Sequence, residues 1–168
     1  LAVRADPNVR IFSLDTGRLH QETYDTIARA RAHFGIDIEM VFPDPADLEP
    51  LLRSDGPNGF YDSVDKRRAC CRVRKVLPLK RVLKTASAWA TGMRRDQNVT
   101  RSSIAKVELD FGNGQILKLN PLADWTSEQI WGYVRDHELP YNPLHDRRFL
   151  SIGCAPCTRA VGPGEDER

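Results

Sequence analysis

Long hydrophobic runs are missing from this chain. None of its apolar stretches approaches the roughly 20 residues that a membrane-spanning helix needs, so an integral membrane protein is not expected. A dominant charge is missing too. Lysine and arginine number 25 against 23 acids, and the net charge of +2 is too small to argue for a nucleic-acid or membrane-surface partner. Repeats and low-complexity tracts are absent, which excludes solenoids and disordered arrays. Histidines are few, and His20, His33, His137 and His145 fall at no metal-ligand spacing, so they read as structural or exposed. There is no secretory signal, although the opening residues read like the middle of a protein. The default is a soluble, cytoplasmic chain, folded as one domain over residues 1–168, with the 40% hydrophobic and 29% charged content usual for such a domain.

What the chain does have is four cysteines, all of them in two tight pairs: Cys70 beside Cys71, and Cys154 with Cys157 in a C-x-x-C. Remote pairs of this kind suit one shared inorganic centre, closed from both sides when the chain folds. Adjacent residues diverge on a helix or strand, whereas one tetrahedral zinc needs its sulfurs only about 3.8 Å apart. A 4Fe–4S cube attaches its thiolates to separate irons, so splayed neighbours suit it better. The cube is the first expectation and structural zinc the second. Two disulfides, or four unrelated buried thiols, are the plain alternative.

The surroundings of the first pair agree with an anionic centre. Lys66, Arg67, Arg68, Arg72, Arg74, Lys75, Lys80, Arg81 and Lys84 follow one another with no acid between Lys66 and Lys84. For most of them a solvated helix face is explanation enough. Lys75 is singled out because it lies four residues after Cys71, one turn along the same face.

The pattern of elements indicates an α/β fold. Asn8–Asp15 reads as a strand dense enough for burial on both faces. A helix follows from His20 to Phe34, with Tyr24, Ile27, Ala28 and Phe34 inward and Gly35 as its stop. Asp37–Phe42 is a second strand, and Pro45–Arg53 a short helix. This βαβ unit predicts a mostly parallel sheet flanked by helices. The basic helix, Ala69–Lys84, carries an inward stripe of Val73, Val76, Leu79 and Leu83 and is bent by Pro78. Ser87–Thr91 reads as a third buried strand. Ile104–Phe111 and Ile116–Leu119 form a hairpin over Gly112-Asn113-Gly114. A capping box, Thr126 with Gln129, opens a helix that runs to about His137, with Trp125 placed to staple onto Ile130. From Pro140 the chain is irregular.

Ligands of open parallel sheets bind beyond the carboxyl ends of the strands. Two such ends are polar here: Asp15-Thr16-Gly17, where backbone can approach a ring or ribose, and Gly92 with Arg94 and Arg95, whose guanidinium forks suit phosphate or sulfate. Arg101 and Arg168 are further basic candidates. Together they favour a nucleotide-like anion.

These residues resemble a known family. Leu14–Gly17 (LDTG), Cys70–Cys71 with Lys75, Gly92–Gln97 (GMRRDQ) with Thr100-Arg101, and Ile152–Arg159 (IGCAPCTR) are together similar to the iron–sulfur type of adenylyl-sulfate (APS) reductase in the phosphoadenylyl-sulfate reductase family. The resemblance implies an adenine-nucleotide α-hydrolase-like, Rossmann-like fold and a 4Fe–4S cluster held by Cys70, Cys71, Cys154 and Cys157. It implies a substrate site at Leu14, Asp15, Thr16, Gly17, Gly92, Arg94, Arg95, Asp96, Arg101 and Arg168, with Lys75 in support. The implied reaction splits adenosine 5′-phosphosulfate into AMP and an enzyme S-sulfocysteine, from which thioredoxin releases sulfite. Sulfate assimilation, a cytoplasmic location and a homo-oligomer follow as expectations. A reductase that also accepts the 3′-phosphorylated substrate, and an ATP-dependent enzyme inserting sulfur into tRNA, are the alternatives. The family's nucleophilic cysteine lies in a Glu-Cys-Gly-Leu-His tail, and its Ser/Gly-rich phosphate loop comes ahead of the segment matching Leu1. The sequence contains neither motif. It reads as a core without its first strand, phosphate loop and reactive tail, expected to bind but not turn over. None of its four cysteines is assigned the nucleophile's role, because all four match the family's cluster ligands.

Overall fold

The computed structural model describes residues 2–97 and 101–162. Thr100, Glu167 and Arg168 lie outside the described residues. After a single helical turn, α1 (Ala2–Ala5), the chain enters β1 (Phe12–Leu14), which pairs in parallel with β2 (Glu39–Val41). The crossover between them is α2 (Gln21–Phe34), ended by Gly35 in the left-handed conformation at φ 61°, where glycine alone carries no Cβ penalty. Helix α3 (Pro45–Asp55) starts with Pro45 in its first turn and the Asp44 carboxylate accepting from the Ala46 N–H.

The strands are shorter than the sequence pattern suggests, and β1 is half-buried rather than enclosed. Burial of α2 also departs from expectation. Tyr24 and Ile27 are half-buried, but Ala28 is exposed and Phe34 is 42% exposed. A 14-residue helix is about 21 Å long, whereas a three-residue strand extends only about 10 Å. The far end of α2 therefore overhangs the sheet.

Next comes a long helix in three sections: α4 (Val64–Cys71), a widened π turn (Arg72–Val76) and α5 (Leu77–Leu83). Ser63 caps it by accepting from the Lys66 N–H. It starts five residues before the expected Ala69, inside a segment whose Arg and Lys gave no apolar signal. In the π turn the Leu77 N–H reaches the carbonyl of Arg72, five residues back. Pro78 has no N–H to give Arg74 and its ring would clash with that carbonyl, so widening the turn relieves the helix at this point. The predicted inward stripe shifts as a result. Arg74, Pro78, Val82 and Leu83 are the buried residues, while Val76 is 42% exposed.

Strand β3 (Ala88–Ala90) pairs in parallel with β5 (Ile116–Leu119), which pairs antiparallel with β4 (Val107–Asp110). The hairpin is the expected one. The expected burial of β3 is not found, since Ala88 and Ala90 are exposed. Strand β3 is an edge of this sheet, and no other strand among the described residues pairs with it. The sheet's inner row is polar, with Lys118 bonded to Glu108 at 2.9 Å and lying over the Trp89 ring. Its outer row is apolar, with Val107 at 58% and Leu109 at 52% exposure. Two of the three strand pairings are parallel, and α2 connects the first of them, in keeping with the α/β reading.

Helix α6 (Ser127–Asp136) opens with the full capping box: the Gln129 N–H donates to Thr126 Oγ1 and the Thr126 N–H donates to Gln129 Oε1. Trp125 meets Tyr133 edge-on at 5.6 Å. The remaining chain folds back as single helical turns, Pro143–Arg147 and Ala155–Cys157. Replacing Thr126 with Ala is expected to cost about 1 kcal/mol of stability, read from the shift in urea midpoint at unchanged slope; no shift would show the cap to be idle.

Candidate active site

The π turn turns one helix face toward the second cysteine pair. Arg67, Cys70, Cys71, Arg74 and Lys75 all line one cavity of about 700 Å³, and Cys154 and Cys157 line its opposite side. The 3₁₀ turn carrying Cys154 and Cys157 is docked from three directions. The Ala155 N–H donates to the Arg18 carbonyl at 2.7 Å, Leu19 and Cys154 form an isolated antiparallel bridge, and the Tyr61 hydroxyl donates to the Pro156 carbonyl at 2.8 Å. Thr158 closes the turn on itself by donating to the Cys154 carbonyl at 2.9 Å and accepting from the Gly153 N–H at 3.1 Å.

Two side chains join the halves. Arg74 is 6% exposed and donates to the Thr16 carbonyl at 2.6 Å, while the Thr16 hydroxyl accepts from the Cys154 thiol at 3.2 Å. The Arg74 guanidinium also lies beside Cys70. Burial pushes the Cys70 thiol above its ordinary range, and the Arg74 cation pulls in the other direction. Thr16 and Arg74 thus connect Cys70 to Cys154 across the cavity. Gly17 is tight against this link: at φ +70°, a Cβ there would stand 3.4 Å from the Arg74 guanidinium.

The cavity is cationic. Arg18, Arg67, Arg74, Lys75 and Arg159 line it, and no carboxylate does among the described residues. The Arg74 Nε is buried without a hydrogen-bond partner, which is costly unless something negative faces it. Lys75 reaches across the cavity, its Nζ lying 3.9 Å from where a Cβ on Gly153 would stand. All four cysteines are free. Among the described residues no group of three or more His, Cys, Asp or Glu side chains is gathered closely enough for a single metal ion.

A second cavity, of about 870 Å³, adjoins the first, and Ser151 lines both. Arg94, Gln97 and Arg101 face it from the loop after β3, with Trp131 of α6 and His145 opposite. Gln97 Oε1 accepts from the Arg94 N–H at 3.2 Å and from the Arg101 guanidinium, so one amide gathers both arginines. Arg95 and Asp96 point elsewhere. Arg95 pairs with Asp124 and donates to the Ile104 carbonyl at 2.8 Å, and Asp96 accepts from the Ser127 N–H at the start of α6. They act as struts for the turn. Around Gly92 there is open space, with nothing within 4 Å of an added Cβ.

The first polar strand end is placed differently. Asp15 and Thr16 are buried at 4% and 2% exposure. Asp15 accepts from the Gly17 N–H and the Tyr24 hydroxyl, and burial followed by that bond raises the Tyr24 pKa. Their side chains build the floor between the cysteine pairs. Only Leu14 and Gly17 keep accessible surface in this motif. Sequence reasoning missed Arg18, which lies over the Phe60 ring at 4.7 Å, and it left Arg74 among the solvated cations. It also passed over Asn120, although an Asn-Pro directly after a strand was a visible signal.

The family profile of the phosphoadenosine phosphosulfate reductase domain matches residues 1–160. The adenosine 5′-phosphosulfate reductase of Allochromatium vinosum is 51% identical over 160 residues, 95% of this chain and 62% of that protein. The enzyme of the same name from Pseudomonas aeruginosa is 51% identical over 173 residues, 100% of this chain and 64% of that protein. A chloroplastic 5′-adenylylsulfate reductase of Arabidopsis thaliana is 47% identical over 95% of this chain and 36% of its own length. The chain therefore spans a little under two thirds of its bacterial relatives. Among solved structures, the phosphoadenylyl-sulfate reductase of Candida auris superposes with a TM-score of 0.77 at 24% identity, covering 94% of this chain and 74% of that one. An FMN adenylyltransferase of Candida glabrata reaches 0.62 at 13% identity, over 90% of this chain and 46% of its own. These two bear on the fold alone.

The burial pattern fixes an order of reactivity. In chelator-treated, reduced protein, iodoacetamide is expected to modify exposed Cys157 first and buried Cys154 last, about tenfold apart, as followed by peptide mass spectrometry. Equal rates would contradict the arrangement of the second pair.

Proposed function

Because this chain belongs to the phosphoadenosine phosphosulfate reductase domain family, we propose that the protein reduces adenosine 5′-phosphosulfate to sulfite and AMP in sulfate assimilation. One observation carries the reading: two remote cysteine pairs line a single cationic cavity that adjoins an arginine-lined one. Residues 1–168 make up a single core domain in this reading.

The residues fit a 4Fe–4S cluster. Four free thiols face one cavity, the cations around them have no carboxylate there among the described residues, and the buried Arg74 Nε lacks a partner. Cys70, Cys71, Cys154 and Cys157 would hold the cluster, with the Thr16 hydroxyl beside Cys154 and the Arg74 guanidinium beside Cys70. In the family's pattern it would supply fixed negative charge and polarisation when bound. Lys75 stands between this centre and the substrate's anionic end.

Substrate recognition divides between the two strand ends. Leu14 and Gly17 offer accessible backbone to the adenosine, and the open space at Gly92 lets the nucleotide approach. Arg94 and Arg101 meet the phosphosulfate in the second cavity, held by Gln97, Arg95 and Asp96. Arg168 joins them in the family's pattern. Cations placed before the reaction stabilise charge as it moves onto the departing phosphate. A cysteine thiolate from the family's tail attacks the sulfur, the S–O bond to phosphate breaks, and AMP leaves from an S-sulfocysteine. A thioredoxin dithiol then supplies both electrons, becoming a disulfide as sulfite departs. A cytoplasmic homo-oligomer is the expected setting, and no described helix is long and apolar enough to cross a membrane.

Anaerobic full-length protein with adenosine 5′-phosphosulfate and reduced thioredoxin is expected to release sulfite and AMP in equal amounts. Lys75→Ala should lower kcat/KM at least about tenfold. Consumption of ATP with tRNA, and none of the sulfonucleotide, would reject the reading.

A further inference from the structure

Asn120 is the only polar side chain with no exposed surface at all among the described residues, and it belongs to neither cavity. A fully buried amide is retained only where its hydrogen bonds are met, and two of the three side-chain bonds here lead to the ends of the arginine loop. Its Oδ1 accepts from the Thr91 hydroxyl at 2.5 Å, and Thr91 Oγ1 in turn accepts from the Met93 N–H at 3.3 Å, so the bond clamps both sides of Gly92. Its Nδ2 donates to the Ala105 carbonyl at 2.9 Å, next to Ile104, where the loop returns. The same group donates to Glu108 at 3.0 Å, which fixes the amide's orientation. Its own carbonyl accepts from the Ala123 N–H, and the Ala123 carbonyl accepts from the Arg95 N–H, each at 3.0 Å.

The loop leaves β3 at Thr91 and is gripped again at Arg95 and Ala105, at Thr91 and Ala105 directly by the residue that follows β5 and at Arg95 by way of Ala123. Between the grips stand Arg94, Gln97 and Arg101, the side chains that reach the second cavity. We infer that Asn120 is a positioning residue for anion recognition: it holds the outgoing and returning arms of this loop in register, so that Arg94 and Arg101 converge on one anionic group. The inference deepens the reading of this site as the phosphosulfate end of a sulfonucleotide pocket, and rests on it. A guanidinium fork binds bidentately only when its orientation is fixed, so loosening the frame should weaken the anion's share of affinity and leave the nucleoside's share alone.

The test compares AMP with adenosine by calorimetry on full-length, cluster-loaded protein. Asn120→Asp keeps the shape but removes the donor to Ala105 and sets a carboxylate against Glu108. Thr91→Val cuts the bond at the other arm and leaves Asn120 in place, which covers the case where the first variant does not fold. Each is expected to weaken AMP about tenfold with adenosine unchanged, and to speed trypsin cleavage after Arg94, Arg95 and Arg101. Parallel losses for both ligands would make Asn120 a general stabiliser and overturn the inference, as would unchanged AMP affinity in variants of a protein that binds AMP. If the unmodified protein binds neither ligand, the sulfonucleotide reading fails. Trypsin cleavage then decides the frame alone: unchanged rates overturn it and faster cleavage in the variants supports it.

Discussion

A buried guanidinium governs the architecture around the cysteines. Arg74 is almost without solvent, bonds to a backbone carbonyl on one side, lies beside a thiol on the other, and keeps one nitrogen unsatisfied. Burying a cation costs several kcal/mol unless opposite charge or good acceptors face it. Here the Thr16 carbonyl and the Cys70 sulfur meet part of the demand, and the rest points toward an anionic occupant of the cavity. The same side chain ties the turn after β1 to the basic helix, and through Thr16 that tie reaches the second cysteine pair.

The widened turn follows from the same place. Pro78 cannot donate to the Arg74 carbonyl, the ladder slips by one residue, and the face carrying Arg67, Cys70, Cys71, Arg74 and Lys75 turns as a unit to the cavity. A regular helix with the predicted stripe would have put Val73 and Val76 inward and left Arg74 in water. Function and local distortion share a cause here, as π turns often do.

The pairing of thiols was legible because short motifs far apart in sequence have few ways to be useful except together. The hairpin, the capping box and the glycine stop of α2 were legible from local chemistry, which tertiary packing did not override. Other features were not. Asp15 and Thr16 look like a polar strand end that would greet a ligand, yet a short polar side chain can as easily turn inward and bond its neighbours. Arg95 resembles Arg94 in sequence but has Asp124 and the Ile104 carbonyl within reach. Arg74 was lost among eight basic neighbours, although Pro78 four residues on marked it as the carbonyl that the helix would leave unbonded.

The central claim is that two thiol pairs share one iron–sulfur cube whose charge Arg74 and its neighbours balance. Iron and acid-labile sulfide analysis of anaerobically purified protein tests it most directly. The account predicts about four of each per chain, with visible colour that is lost when Cys154 is replaced by Ala. A colourless protein carrying one zinc per chain, or none, would contradict it.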